Sequence, residues 1–140
     1  MKRILSVLIA MTVILSCSIN ASALIKDEFV DEEVVLRYQY ATNVLSSISI
    51  SSKTATCKST VVGQSGVATK IVITQYLQKK SGSDWNNVQS WTKTFNQASA
   101  IYTNKKSSLS SGTYRTRTVA KVYSGNNYET IKQNSSTATC

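Results

Sequence analysis

Few residues in this sequence could carry chemistry. Of 140 residues, three are Cys, seven are Asp or Glu, 16 are Lys or Arg, and none is His. Without imidazole, most catalytic triads, metalloprotease sites and imidazole acid–base schemes are excluded. Ser is abundant (22 residues), but no G-x-S-x-G accompanies it, and Cys57 has no His to activate it. Beyond residue 33 the only carboxylates are Asp84 and Glu129. Each lies beside a turn signal, and paired acid–base work needs two carboxylates at a fixed separation. The other five, Asp27, Glu28, Asp31, Glu32 and Glu33, lack the Gly-turned spacing of a calcium loop. The sequence therefore predicts a non-enzyme with no catalytic residue, no metal ligands and no cofactor.

The cysteines offer a different chemistry. Thr54-Ala55-Thr56-Cys57 and Thr137-Ala138-Thr139-Cys140 are the same tetrapeptide. If cleavage follows Ala23, only Cys57 and Cys140 remain; an even count in an exported domain suggests a disulfide, and closing this loop would stabilise the fold by about 4 kcal/mol. Two free thiols, one able to link chains, are the alternative.

Export is expected from the N-terminus. Met1-Lys2-Arg3 is cationic, Ile4 to Ser16 is apolar but for Ser6, Thr12 and Ser16, and Ala21-Ser22-Ala23 fits a signal peptidase. Residues 1–23 thus read as a signal peptide and the product as secreted and extracellular, with no membrane span. Ile14-Leu15-Ser16-Cys17 also resembles a lipoprotein box, so an envelope lipoprotein anchored through Cys17 is the alternative location. Residues 24–36 form an acidic segment or linker. From Val34 onward 13 Lys/Arg outnumber two carboxylates, a formal charge of +11.

Residues 37–140 must supply the scaffold. Their five glycines sit in polar clusters between runs rich in Thr, Val, Ile and Tyr, as turns between strands require. The runs have period two. Ile71, Ile73 and Leu77 share a face; Tyr114, Thr116, Thr118, Ala120 and Val122 share another, with Arg115, Arg117, Lys121 and Tyr123 opposite. The pattern predicts about seven strands, over 38–52, 53–62, 70–80, 85–95, 99–103, 113–123 and 128–138. It fits an all-β, antiparallel sandwich. Leu109-Ser-Ser-Gly112-Thr113-Tyr114 predicts a tyrosine corner, with Gly112 giving backbone freedom and Leu109 an apolar plug.

These runs resemble the immunoglobulin and fibronectin type III class of sandwich. Thr69 to Gly82, the series Trp85, Val88, Trp91 and Phe95, and Ser111-Gly112-Thr113-Tyr114 are more closely similar to an uncharacterised family of small secreted proteins of Gram-positive, clostridium-like bacteria. The resemblance implies export and an immunoglobulin-like β-sandwich, and no activity.

One surface stands out. Arg115, Arg117, Lys121 and Tyr123 form a basic, partly aromatic stripe, and Tyr76, Gln78 and Lys80 of the third strand belong beside it. Trp85 is a candidate stacking platform, whereas Trp91 is expected in the core. A secreted, non-catalytic binding or adhesion module is predicted, contacting an anionic cell-wall polymer or glycan. No specific nucleic acid is expected, because no groove-reading module is present. A structural or self-associating secreted protein is the alternative.

Overall fold

The computed structural model describes residues 38–140; the expected signal peptide (1–23), the acidic segment (24–36) and Cys17 lie outside the described residues. Within 38–140 the regular elements are all strands: β1 (Ala41–Ser51), β2 (Thr54–Gly63), β3 (Lys70–Ser81), β4 (Asp84–Phe95), β5 (Ser99–Lys106), β6 (Thr113–Ser124), β7 (Asn127–Asn134) and β8 (Ala138–Thr139). They form two antiparallel sheets, β1-β2-β5 and β4-β3-β6-β7, with β8 also on β6. The predicted sandwich is present.

Local sequence decides which sheet β4 joins. Ser81 pairs with Asp84 across a two-residue turn, Gly82-Ser83, with Gly82 at φ 59°. So tight a hairpin holds β4 against β3. In a constant-type immunoglobulin domain the fourth strand instead lies beside the fifth. The same two-residue geometry joins β1 to β2 through Ser52-Lys53 and β6 to β7 through Gly125-Asn126.

The last predicted strand is broken. Arg117 pairs with Asn134, but Tyr114 pairs with Ala138, so one extra residue sits on the C-terminal side. Ser135 causes the slip. Its N–H donates to Thr116 O at 2.8 Å, while its Oγ accepts from Thr116 N–H at 2.9 Å in place of a backbone carbonyl.

Alternation fills the core as expected: Ala55, Cys57, Ile71, Ile73, Leu77, Thr116, Thr118, Ala120 and Val122 are fully enclosed. The core is nevertheless divided. One apolar cluster gathers Val44, Val61, Ile71, Ile73, Val122 and Ile131; the other gathers Ala55, Cys57, Leu77, Leu109 and Tyr114. Between them runs a buried polar belt. Gln75 Nε2 donates to Ser59 Oγ (2.8 Å) and to Tyr102 O (3.1 Å), and Gln75 Oε1 accepts from Asn104 Nδ2 (2.9 Å). Ser59 Oγ meets Thr118 Oγ1 at 2.6 Å, and Thr118 Oγ1 donates to Ser46 Oγ at 2.9 Å.

Two contacts lock the poles. The tyrosine corner forms as predicted: Tyr114 O–H donates to Ser110 O at 2.7 Å, with its ring beside the plug Leu109. Gly112 turns the chain at φ 149°, a conformation L side chains rarely adopt. At the opposite pole Glu129 of β7 accepts the N–H groups of Gln39, Tyr40 and Ala41 at 2.6–2.7 Å. It thereby ties the entry of β1 to the other sheet. Gly63 nearby admits no side chain, since a Cβ there would lie 2.6 Å from Ala98 O and collide with Ala68 Cβ.

The expected Cys57–Cys140 disulfide is absent, and both thiols are free. Register explains this. Cys140 exchanges backbone hydrogen bonds with Gly112, whereas the Cys57 thiol meets Thr116. Four residues of extended strand, about 13 Å, separate those levels, well beyond the reach of a disulfide. Burial raises the Cys57 thiol above its ordinary value, and the nearby Thr116 hydroxyl opposes the shift. The unfolded chain therefore ionises this thiol first. This contribution to stability is intact below the unfolded thiol pKa, about 8.5, and is lost as pH rises past it. Alkylation with iodoacetamide followed by peptide mapping is expected to label Cys140 in the native protein and Cys57 only after denaturation. Equal labelling rates would contradict the buried, protonated thiol.

Candidate functional surface

Direct cross-strand partners share a face, so register alone places the predicted contact residues. Lys80 pairs with Trp85, Gln78 with Asn87 and Arg115, Tyr76 with Ser90 and Arg117, and Tyr123 with Lys70 and Tyr128. Lys121, two residues from Tyr123, joins the same side. Tyr76, Lys80, Trp85, Arg115, Arg117, Lys121 and Tyr123 all lie on the outer face of the β4-β3-β6-β7 sheet. The other predicted residues stand elsewhere: Leu109, Gly112 and Tyr114 at the corner, Cys57 in the core and Cys140 beside the corner.

Three cation–aromatic stacks organise this face. Arg115 lies 4.2 Å above the Trp85 ring, Lys70 Nζ 4.0 Å from the Tyr123 centroid, and Lys121 Nζ 5.1 Å from the Tyr128 centroid. Tyr123 and Tyr128 themselves stack at 5.0 Å. Arg115 is held further: its Nε donates to Gln78 Oε1 (2.8 Å), and Gln78 Nε2 donates to Asn87 Oδ1 (2.9 Å). Partial burial, and then the charge of Arg117, lower the Arg115 pKa from the usual arginine range. It keeps its charge all the same. Trp85 is thus an outward, half-buried platform already covered by a guanidinium, while Trp91 pairs with inward Gln75 and packs against the second core cluster, as expected.

Sequence reasoning missed Lys70, Lys132 and Tyr128. Lys132 pairs with Val119 and so faces outward beside Arg117. Its signal was present, since neighbouring Ile131 is the buried partner in a period-two pattern. With Lys70 and Lys132 the face carries six cations. Neither carboxylate of residues 38–140 lies on it: Glu129 pairs with inward Val122 and is bound to the start of β1, and Asp84 closes the β3–β4 turn.

At the corner pole Lys79 Nζ donates to Ser110 Oγ at 2.8 Å, with the Tyr114 hydroxyl 3.2 Å away. As the donor, Lys79 braces the corner. Among the described residues no three His, Cys, Asp or Glu side chains gather as a metal site, and no helix is long and apolar enough to cross a membrane. No protein-family model matches the chain, and no curated protein matches it either.

Proposed function

We propose that this protein is a secreted, non-catalytic binding module whose β4-β3-β6-β7 face contacts an anionic polymer of the cell envelope or extracellular space. The observation that supports it is the segregation of charge: Lys70, Lys80, Arg115, Arg117, Lys121 and Lys132 share one face with aromatic rings and no carboxylate. Such a field attracts polyanions and is screened by salt. The stacks hold Arg115, Lys70 and Lys121 in place, so less side-chain freedom is lost on contact. The test is retention on purified cell wall across a salt series. Reversing Arg117, Lys121 and Lys132 to Glu is expected to weaken binding about 100-fold at low salt, at roughly 1 kcal/mol per exposed pair. Equal retention of the variant and the parent would sink the reading.

A second reading, self-association, is favoured by the other sheet. Leu45 and Ile101, 54% and 60% exposed, flank Thr60 in one row of its outer face. Sedimentation separates the two: dimers abolished by Leu45→Lys support self-association through that sheet.

A further inference from the structure

Resting on the reading of the basic face as a polyanion contact, we infer that one depression on it selects the polymer by binding a carboxylated sugar residue of an acidic glycan. The depression is walled by Tyr76, Gln78, Asn87, Arg117, Val119 and Lys132 and measures about 330 Å³. That is the lower end of small-ligand sites and suits one sugar ring with its substituents.

Half of the six cations on this face are already engaged. Arg115, Lys70 and Lys121 each lie over an aromatic ring of the protein. Arg117 and Lys132 make no such contact among the described residues, and Lys80 stands apart at the end of the face beside Trp85. Tyr76 is likewise the ring of this face with no cation over it. The unoccupied charges and the unoccupied ring therefore meet in one place. Arg117 is the direct cross-strand partner of Tyr76, and Lys132 sits diagonally from Arg117, within about 8 Å.

The walls then choose among anions. The Tyr76 ring and the Val119 methyls offer apolar surface to the C–H face of a pyranose. Arg117 presents a planar fork that matches a planar carboxylate with two parallel hydrogen bonds. Asn87 uses its Oδ1 on Gln78, which leaves its amide N–H groups to donate to ring hydroxyls. Gln78, 5% exposed and bonded at both ends of its amide, forms a fixed floor. A phosphodiester chain can also engage the fork, but it has no apolar face for Tyr76 and would leave that wall unused.

The test is an amide-resolved NMR titration of the full chain with galacturonate hexamer, its neutral methyl ester and polyphosphate. Shifts from the hexamer are expected to centre on Tyr76, Asn87, Arg117 and Lys132. Tyr76→Ala should weaken hexamer binding at least tenfold and leave polyphosphate unaffected. Arg117→Lys keeps the charge but loses the fork, and should likewise weaken hexamer binding. Unchanged melting temperatures show that both variants fold. Equal binding of the methyl ester overturns the carboxylate assignment. Hexamer binding that is spread over the face and indifferent to Tyr76→Ala overturns the sugar site while the basic-face reading stands. No binding of any polyanion at low salt overturns both.

Discussion

Tyr114→Ala is expected to lower the folding free energy by about 3–5 kcal/mol, the range for truncating an enclosed aromatic side chain. Tyr114 is 1% exposed and heads the fully buried side chains by volume. Its removal opens a cavity beside Leu109, Ala55 and Leu77 in the smaller core cluster. It also frees the Ser110 carbonyl from its 2.7 Å hydrogen bond. The two contributions can be separated. Tyr114→Phe keeps the ring and loses only the latch, at about 1 kcal/mol, because Ser110 is exposed and water can replace the donor. Urea denaturation of both variants measures this. If Phe costs as much as Ala, the hydroxyl rather than the packing holds the corner; if Ala costs under 1 kcal/mol, the corner is not a stabilising latch.

Gln75→Leu is expected to cost about 3 kcal/mol despite placing an apolar side chain of similar volume in the core. Gln75 has no exposed surface, and its amide serves three groups, Ser59 Oγ, Tyr102 O and Asn104 Nδ2, of which Ser59 keeps its bond to Thr118. Unpaired polar groups inside a protein cost roughly 1–3 kcal/mol each, and the partly exposed Asn104 can recover water. The better burial of Leu offsets some of the loss. Thermal melts that show Gln75→Leu at parental stability would mean the belt adds nothing.

Much of this architecture was legible because period two is a local property. The inward set Tyr114, Thr116, Thr118, Ala120 and Val122 and the outward set Arg115, Arg117, Lys121 and Tyr123 were separable by odd and even numbers alone, and burial follows that parity along β6. The corner was legible because its parts lie within six residues. What stayed hidden depends on register between strands. The repeated Thr-Ala-Thr-Cys reads as a matched pair, yet Cys57 lies mid-strand in the core and Cys140 just past β8 at a pole. Gln75 stands at the inward parity between Ile73 and Leu77, but nothing in its neighbourhood announces Ser59 and Asn104 as its partners. Lys132 joined Arg117 only once β7 was aligned on β6.

The carboxylate of Glu129 has a mechanical consequence. It fixes Gln39, Tyr40 and Ala41 at one pole, while Cys140 is bound to Gly112 at the other. Tension applied between Tyr38 and Cys140 would run parallel to the strands, over the roughly 35 Å length of β1. The β1–β2 ladder would then be loaded in shear, with its bonds strained together instead of peeled singly. A module gripping a polymer under flow would resist extension by this means without any covalent staple.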